Sequence, residues 1–519
     1  MTTALTAIGH GLRDLPDDID VVVVGLGVTG AGVALDAASR GLSVLAVDAF
    51  DVAYGTSRSS SKLVHGGLRY LATGQVGIAH ESAVERGILM ERTAPHLTRA
   101  LPMLLPLMSS VGHGQAALAG LGFIAGDVLR LAARTKADTL PHPRRVSRTE
   151  ALTMAPPLRG AGLRGALLSW DGQLEDDARL VLGIARTAVA HGADVRTRIR
   201  AVSVTGGSAE LRDELTGETR TVTARRVVNA TGVWAADLVD VKLKPSRGTH
   251  LVLRAETLPR LNTAITVPIP NTTNRFMFLL PQPDGTIYVG LTDVEAHGDI
   301  PDVPEPTESE IGFLLDVVSA AFDKPLRRSD VVGAYAGLRP LLDSGGSTAD
   351  LSRKHAVLTS PSGVITIVGG KLTTYRRMAE DAVDATGLAP GRCRTRNLPL
   401  LGAASRDALA QFEGHPRLVR RFGTEAQLVL ENARIVTGLN DAELLAPIAP
   451  HLPATLAELV FGITHEGAVD VEDLLERRTR IGLIPEDVEL ARPAAERALE
   501  LVAAYRESHR ERRHEGPAL

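Results

Sequence analysis

The chain has 519 residues, 44% of them hydrophobic, and a formal net charge of −4. This length allows roughly three domains of about 150 residues each. The small net charge gives no general case for nucleic acid as a partner. The single cysteine, Cys393, excludes an intrachain disulfide and fits a reducing, cytoplasmic compartment. No stretch of about 18 apolar residues predicts a spanning helix, and residues 1–18 predict a flexible N-terminus rather than a secretory signal.

The first predicted element is a buried strand over Asp20–Gly25, which contains four consecutive valines. A helix is predicted over Ala31–Arg40 and a second strand over Leu42–Val47, ending at Asp48. Between the first strand and the helix lies a GxGxxG pattern formed by Gly25, Gly27 and Gly30. This βαβ unit predicts a dinucleotide site, with the pyrophosphate at the helix N-terminus and the acid on a ribose.

The segment 56–71 reads TSRSSSKLVHGGLRYL. Small hydroxyl residues and adjacent glycines let backbone N–H groups approach a phosphate or a planar ring. Lys62, His65 and Arg69 add cationic or titratable groups beside such a ligand. We therefore expect the cofactor and the chemistry to meet in this segment.

Two later motifs favour FAD over NAD as the dinucleotide. The stretch RRVVNATGVWAADL is a strand that ends in Ala-Thr-Gly, a turn with which flavoproteins return the chain to the adenosine side. The stretch VITIVGGKLTTYRRMAEDA is a strand, a glycine turn and a helix. A helix N-terminus aimed at the flavin ring would stabilise negative charge on that ring.

The remaining patterns divide the chain. A helix is predicted over residues 76–100, and residues 245–295 predict sheet. Beyond about Arg396 the glycine-strand motifs stop and helical patterns dominate. We expect an FAD-dependent oxidoreductase region over 19–396 and a helical C-terminal domain over 397–519. Within the former, the FAD parts are predicted at about 19–75, 160–240 and 355–396, and the substrate parts at about 76–159 and 241–354.

Taken together, the motifs resemble bacterial FAD-dependent glycerol-3-phosphate dehydrogenases. The matching pieces run in family order from about residue 20 to about residue 485 and include TSRSSSKLVHGGLRYL, NATGVWA, GTHLVL, YAGLRPL and GGKLTTYR. The resemblance implies an α/β fold, with a glutathione-reductase-like FAD-binding Rossmann domain, an antiparallel-sheet substrate domain and a helical C-terminal domain.

The resemblance also implies the residues of the site. No metal is expected. The predicted cofactor-binding residues are Gly25, Gly27, Gly30, Asp48, Thr56, Ser57, Ser60, Ser61, Lys62, His65, Gly66, Gly67, Thr231, Gly232, Gly370, Lys371, Leu372 and Thr373. The predicted substrate-binding residues are Arg69, Tyr70, His250, Arg339 and Arg353.

The implied reaction oxidises sn-glycerol 3-phosphate to dihydroxyacetone phosphate, with a hydride passing to FAD. Oxidation of a secondary alcohol also requires a proton acceptor, and histidine suits that role near neutral pH. His250 matches the active-site histidine of the family, His65 is its rival, and an arginine could share the role. The predicted catalytic residues are therefore His250, Arg339 and Lys371. The loop 271–274 carries no acid here, whereas relatives often have one.

The resemblance further implies quinone as the electron acceptor and a peripheral position on the inner face of the cell membrane. The candidate lipid-facing surface lies in residues 101–148, where Leu101–Met108 and Leu118–Leu131 adjoin a cluster of basic residues. A packed helix pair with a solvated basic end would give the same pattern. The sequence also leaves open whether the chain forms a homodimer. The alternatives are a glycerol-3-phosphate oxidase that uses O2 and a non-catalytic flavin-binding membrane scaffold.

Overall fold

The computed structural model describes residues 7–16, 18–67, 70–71, 74–109, 113–270, 272, 275–343 and 354–514. Two large sheets and a helical C-terminal domain make up the protein. In the described part of the chain, no helix is both long and apolar enough to cross a bilayer. The predicted α/β fold with a sheet-based second domain and a helical C-terminal domain is confirmed.

The first sheet holds the dinucleotide-binding unit. Its first six strands are parallel and the last is antiparallel. Among the described residues the strand order is Gly9–His10, Asp194–Thr197, Val44–Val47, Val21–Val24, Arg226–Asn229, Ile365–Val368 and Ala356–Thr359. The four valines of Val21–Val24 are all buried because both faces of the sheet are covered: Val21 and Val23 pack under helices, and Val22 and Val24 pack against the small three-stranded sheet described below. The main covering helices are Val28–Ser39, Asp177–Ala190 and Tyr375–Ala385.

The second sheet has ten strands within the described residues, and nearly all its pairs are antiparallel. Eight strands follow in the order Val294–Glu295, Ser246–Arg254, Thr286–Gly290, Phe276–Pro281, Ala264–Pro268, Thr98–Met108, Leu163–Leu174 and Leu63–Val64. Two more pair with members of this row, Val331–Arg339 with Ser246–Arg254 and Arg144–Val146 with Leu163–Leu174. Three other strands form a small separate sheet: Ile199–Val204, Ser208–Asp213 and Thr219–Thr223.

Helices flank the second sheet. Glu308–Ser319 begins with a capping box at Thr307 and buries Ile311, Leu314 and Val318 against the sheet. The other helices of this region are Val76–Ile88, His113–Ala132 and Arg148–Met154. The C-terminal domain contains the helices Arg406–Ala410, Pro416–Phe422, Ala426–Thr437, Asp441–Leu445, Leu456–Thr464 and Pro485–His514, and the strands Pro447–Ala449 and Leu452–Thr455.

Three expectations require correction. Residues 7–16 are not a flexible terminus, because Gly9–His10 pairs with the first sheet and Leu12 is buried. The predicted helix over 76–100 ends early: a π-helical turn, Leu89–Thr93, follows Val76–Ile88, and the strand Thr98–Met108 begins before residue 100. That strand is largely buried in the second sheet, so its apolar residues face the core and not lipid.

Buried ion pairs join the C-terminal domain to the first sheet. Arg179 lies in the first turn of the covering helix Asp177–Ala190, and its guanidinium donates to Glu466 Oε2 over 2.7 Å. The two side chains are 4% and 0% exposed. Breaking a buried pair leaves an uncompensated charge away from water, which is far costlier than breaking an exposed pair.

We expect Glu466→Gln to lower the free energy of unfolding by about 3 kcal/mol or more, because the Arg179 charge loses its partner. The control is Asp441→Asn, whose pair with Arg434 is about half exposed and is expected to contribute under ~1 kcal/mol. Urea unfolding followed by circular dichroism measures both. Equal effects of the two substitutions would contradict the proposed weight of the buried pair.

Candidate active site

One cavity of about 700 Å3 joins the two sheets. Its walls come from the carboxyl ends of the parallel strands, the segment after Tyr54, and the second-sheet strands that carry His250 and Arg339. Carboxyl ends of parallel strands are where ligands bind in open α/β sheets. The cavity volume falls in the range of ligand sites, about 300–1,000 Å3.

The glycine pattern forms the tight end of this cavity. Gly25 has a φ of +99°, a region that favours glycine. A Cβ atom on Gly30 would lie 1.8 Å from the Gly25 carbonyl oxygen, so only glycine lets the helix Val28–Ser39 begin this close to the strand. Gly25 and Gly27 line the cavity, whereas Gly30 serves the packing behind it.

Asp48 lies at the end of the second parallel strand, as the spacing predicts. Its two oxygens accept hydrogen bonds from the N–H groups of Leu26, over 2.7 Å, and Phe50, over 2.9 Å. Burial raises the pKa of Asp48 to about 6. The carboxyl group lines the cavity, in a position to accept hydrogen bonds from ribose hydroxyls.

The hydroxyl-rich segment borders the cavity along its length. The side chain of Ser57 accepts a hydrogen bond from Val28 N–H at the helix N-terminus over 2.9 Å. Thr56 donates to the Leu338 carbonyl, which fixes the segment against the second sheet. The predicted residues of this segment that line the cavity are Thr56, Ser57, Ser60, Ser61 and His65.

Lys62 does not line the cavity, and its predicted contact with the cofactor is not supported. Its side chain is fully buried, and Nζ donates to Asp177 Oδ2 over 2.8 Å and to the Arg58 carbonyl over 2.7 Å. Burial and the nearby Arg480 lower the pKa of Lys62 to about 7. The lysine therefore anchors the segment from behind.

Gly66 and Gly67 also have a packing role. A Cβ atom on Gly66 would lie within 2.4 Å of Arg86, and one on Gly67 would lie 3.0 Å from Ala79 Cα. Neither glycine lines the cavity. The two glycines let the chain pass close to the helix Val76–Ile88, instead of passing close to a cofactor as the sequence suggests.

The two later motifs reach the cavity as expected. Thr231 and Gly232 line it after the strand Arg226–Asn229, and the Thr231 hydroxyl donates to Asn229 Oδ1 over 2.7 Å. The glycine turn contributes Gly370, Lys371, Leu372 and Thr373.

Lys371 joins this turn to the neighbouring helix. Its Nζ donates to Ser82 Oγ over 2.6 Å and lies 4.0 Å from the centre of the Tyr70 ring. Tyr70 packs with Ala79, Ala83 and Leu129. Lys371 and Tyr70 are therefore neighbours, as the prediction of a shared site requires.

His250 is buried in the wall of the cavity. Its Nε2 lies 2.8 Å from Ser61 Oγ, and its ring stacks on Tyr335 at 4.8 Å. Burial, with the positive charges of Lys62 and Arg339, lowers its pKa well below the usual value. A Cβ atom on Gly290 would lie 2.3 Å from the imidazole ring, so glycine is required at that position. The imidazole is consequently neutral at physiological pH.

Arg339 lies at the end of the strand Val331–Arg339 and lines the cavity. Its guanidinium donates to Ser246 Oγ over 3.2 Å and to the Thr292 carbonyl over 3.4 Å, and Asp293 lies 3.5 Å away. These contacts fix the orientation of the Arg339 guanidinium. The guanidinium thereby provides a fixed positive charge in the cavity.

His65 belongs to a cluster with Asp171 and Arg86 that could not be predicted from the sequence. Its Nδ1 lies 3.1 Å from Asp171 Oδ2, and Arg86 donates to Asp171 Oδ1 over 2.7 Å. Although burial opposes ionisation, Arg86 and His65 hold the pKa of Asp171 at about 2. An ionised carboxylate only accepts hydrogen bonds, so His65 Nδ1 carries the proton that faces Asp171, and Nε2 is the ring nitrogen on the opposite side.

Arg69 and Arg353 lie outside the described residues, so their predicted contacts with substrate stay predictions. Within the described ranges, no cluster of His, Cys, Asp and Glu could hold a metal ion.

The residues present fit a flavin dinucleotide. One end of the cavity is formed by Gly25 and Gly27, the Asp48 carboxylate and the N-terminus of the helix Val28–Ser39. The turn Gly370–Thr373, which follows the strand Ile365–Val368, also lines the cavity. Residues 20–376 match the family described as FAD dependent oxidoreductase, and 393–513 match the C-terminal domain of alpha-glycerophosphate oxidase.

The chain is 52% identical over 498 residues to glycerol-3-phosphate dehydrogenase 1 of Mycobacterium tuberculosis, covering 93% of this chain and 94% of that one. This chain belongs to the FAD-dependent glycerol-3-phosphate dehydrogenases. FAD is the cofactor of the family, as predicted. The mitochondrial glycerol-3-phosphate dehydrogenase SDP6 of Arabidopsis thaliana is 35% identical and covers 94% of this chain and 83% of its own length.

Solved structures agree with this membership. The glycerol-3-phosphate dehydrogenase from Bacillus halodurans, complexed with FAD, aligns with a TM-score of 0.71 and 29% identity over 95% of this chain and 94% of that one. The L-alpha-glycerophosphate oxidase from Mycoplasma pneumoniae aligns with a TM-score of 0.54 and 15% identity over 74% of this chain and 99% of that one. At that identity the second likeness concerns the fold alone.

Several cavity residues of this glycerol-3-phosphate dehydrogenase family member were not predicted. They include Phe50, Tyr54, Arg200, Trp234 and Leu291. Phe50 and Tyr54 follow Asp48 closely, and Trp234 follows Gly232, so nearness to the motifs could have indicated them. Arg200 carries no such signal, because it reaches the cavity from the small separate sheet.

Proposed function

We propose that this enzyme oxidises sn-glycerol 3-phosphate to dihydroxyacetone phosphate and delivers the electrons to a quinone at the inner membrane face. Bound FAD supplies the acceptor for the hydride that leaves C2 of the substrate. The observation that carries the proposal is a single cavity. It joins a dinucleotide-binding end to a cluster of two histidines, an arginine and a lysine.

The cationic end suits a phosphorylated alcohol. Arg339 offers a planar fork, and Lys371 adds an ammonium group beside Tyr70. A phosphate dianion accepts hydrogen bonds from several such cationic donors. We assign the phosphate to Arg339 and Lys371, with Tyr70 as a neighbouring contact and Arg69 and Arg353 as additional predicted ligands.

The geometry favours His65 as the proton acceptor, although sequence reasoning preferred His250. Asp171 orients His65 and fixes its tautomer, so Nε2 can take the proton of the C2 hydroxyl. Charge on the resulting imidazolium would be stabilised by the Asp171 carboxylate. Among the described residues His250 has no carboxylate partner, and its lowered pKa makes it the weaker proton acceptor of the two. We assign His250 and Ser61 to holding the substrate hydroxyl in place.

The electron acceptor distinguishes this proposal from its alternatives. The match of residues 393–513 to a domain of alpha-glycerophosphate oxidase keeps an O2-dependent reaction open. A non-catalytic flavin-binding scaffold is disfavoured by the two histidines and Arg339, which line the same cavity. We favour quinone because one exposed surface suits a bilayer.

That surface is the apolar face of the helix His113–Ala132. Residues three and four apart share one side of a helix, and four large apolar residues at this spacing are exposed. They are Leu121, Ile124, Val128 and Leu131, at 63%, 60%, 58% and 58% exposure. Exposed basic residues follow at Arg134, Lys136, Arg145 and Arg148. Apolar residues beside positive charge are typical of proteins that lie on anionic bilayers.

Two parts of the predicted lipid-facing surface are excluded from this proposal. Leu101–Met108 lies within the second sheet. Arg130 is buried, where it donates to Asp127 and to the Thr135 carbonyl.

We expect Arg339→Ala to raise the glycerol 3-phosphate concentration that half-bleaches the flavin by about tenfold or more, since a charged hydrogen bond to phosphate is lost. FAD content should stay unchanged. Anaerobic titration followed at the flavin absorption band measures this. Arg328→Ala, which removes an exposed surface pair with Glu308, is the control. Loss of flavin from the Arg339 variant would contradict the assignment.

We expect His65→Asn to lower the rate of flavin reduction by about a hundredfold or more, because the variant lacks the imidazole that takes the proton of the C2 hydroxyl. His250→Asn should reduce the rate less, since that variant keeps the proton acceptor. Anaerobic stopped-flow reduction at saturating glycerol 3-phosphate compares the two variants. If His250→Asn lowers the rate more than His65→Asn does, His250 is the base and the assignment of His65 is wrong.

We expect replacing Leu121, Ile124, Val128 and Leu131 by serine to abolish turnover with quinone embedded in anionic vesicles, while turnover with a soluble quinone analogue stays unchanged. The matched control replaces four exposed apolar residues elsewhere: Leu215, Phe313, Ile435 and Leu490. Vesicle co-sedimentation and acceptor-dependent rates measure both. Peroxide release at the full rate of turnover would support the oxidase alternative and refute quinone as the acceptor.

A further inference from the structure

A segment of the C-terminal domain, residues 470–480, packs against the loops that form the cofactor end of the cavity. The segment itself provides none of the described lining residues. Its centre is the π-helical turn Asp473–Arg478, which is mostly buried. The sequence marks this region by a run of arginines, for which the family motifs give no cofactor role.

The first contact is with the loop after Asp48. Arg477 Nε donates to Asp51 Oδ2 over 2.5 Å, and Arg478 donates to both oxygens of Asp51. All three side chains are at most 2% exposed. Although burial opposes ionisation, the two arginines lower the pKa of Asp51 to about 2. Asp51 follows the cavity residues Asp48 and Phe50 directly, so the contact fixes the loop that carries them.

The second contact is with the segment that contains Ser57 and Ser59. Arg58 lies between these two cavity residues, and its guanidinium donates to Glu476 over 2.5 Å. The guanidinium groups of Arg58 and Arg477 each lie 5.4 Å from the centre of the Tyr54 ring. Tyr54 also lines the cavity. The segment 470–480 thus contacts residues 54–59 through an ion pair with Arg58 and through the Tyr54 ring.

The third contact is with the turn before the strand Ile199–Val204. Arg198 donates to Asp470 over 2.6 Å and to Asp473 over 2.8 Å. Two residues later, Arg200 lies 5.1 Å from the centre of the Phe50 ring and lines the cavity. Phe50 in turn stacks on Tyr54 at 4.1 Å. The three contacts therefore meet at one pair of stacked rings.

We propose that residues 470–480 act as a positioning element for FAD: they hold the three loops at the cofactor end of the cavity in their binding arrangement. An ordinary domain contact could form anywhere on the first sheet. Here Asp51, Arg58 and Arg198 each stand within three residues of a cavity-lining residue. Because coupling between two sites is reciprocal, bound FAD must in turn stabilise this remote segment.

Hydrogen exchange of the unmodified full chain tests the reciprocal effect. Amide exchange is followed by mass spectrometry in the holoenzyme and in the same protein after FAD has been removed. We expect FAD to slow exchange across residues 470–480, although that segment does not line the cavity. The helix Ala426–Thr437 of the same domain should not respond. Equal exchange of residues 470–480 in the two samples would overturn the proposal.

The substitution Glu476→Gln tests the direct effect and removes only a partly exposed charge. We expect FAD to leave the diluted holoenzyme about five times faster, measured as the rise in flavin fluorescence. The melting temperature of the FAD-free variant should match that of the FAD-free parent. Asp441→Asn, which breaks an exposed pair in the same domain, is the control and should leave the release rate unchanged.

An unchanged FAD release rate in Glu476→Gln would overturn the proposal. So would a faster release that the Asp441→Asn control reproduces. Neither measurement uses substrate or an electron acceptor. The outcome is thus independent of the proposed dehydrogenase reaction and of the identity of its base.

Discussion

The carboxylate of Asp177 is the interaction on which the arrangement of the site depends. It stands at the start of the helix Asp177–Ala190, and one of its oxygens accepts hydrogen bonds from Ser60 N–H, the Ser60 hydroxyl and the Lys62 ammonium group. A buried carboxylate must be satisfied by such donors, since leaving it unpaired away from water would be costly. This requirement fixes the segment that crosses from the parallel sheet to the second sheet.

Fixing that segment also fixes the chemistry on its other side. Ser61 follows Ser60 and meets His250 Nε2, while the Tyr335 hydroxyl donates to the Ser60 carbonyl and its ring stacks on His250. Directly after Lys62, the strand Leu63–Val64 pairs with Leu163–Leu174, the strand that carries Asp171. His65 follows this strand and therefore meets Asp171. One short segment thus positions both histidines, each beside a different partner.

Sequence reasoning predicted the parts of the site that depend on local spacing. Gly25, Gly27 and Asp48 form one continuous βαβ unit, so their distances along the chain determine their positions in space. Lys62, Gly66 and Gly67, which the resemblance assigns to the cofactor, do not line the cavity, because a cation or a glycine near a cofactor motif can serve either the ligand or the packing behind it. The pair of His65 with Asp171 spans 106 residues and the contact of Lys62 with Asp177 spans 115. Such pairings follow from strand register and could not be predicted without it.

The same distinction separates the two apolar stretches that the sequence offered as one lipid-facing surface. Leu101–Met108 and Leu121–Leu131 are both rich in large apolar residues. The strand is paired along both edges within the second sheet and is largely buried, whereas the helix keeps an apolar face exposed. Arg477 and Arg478 are, by contrast, charged side chains that are buried, and both pair with Asp51. Replacing buried ion pairs by apolar residues is often neutral or stabilising, so stability alone does not explain two arginines on one buried aspartate. What such a pairing provides is direction, since a bidentate fork fixes the angle at which two segments meet. For a loop that must keep Asp48, Phe50 and Tyr54 in register with a dinucleotide, that angle is the property that matters.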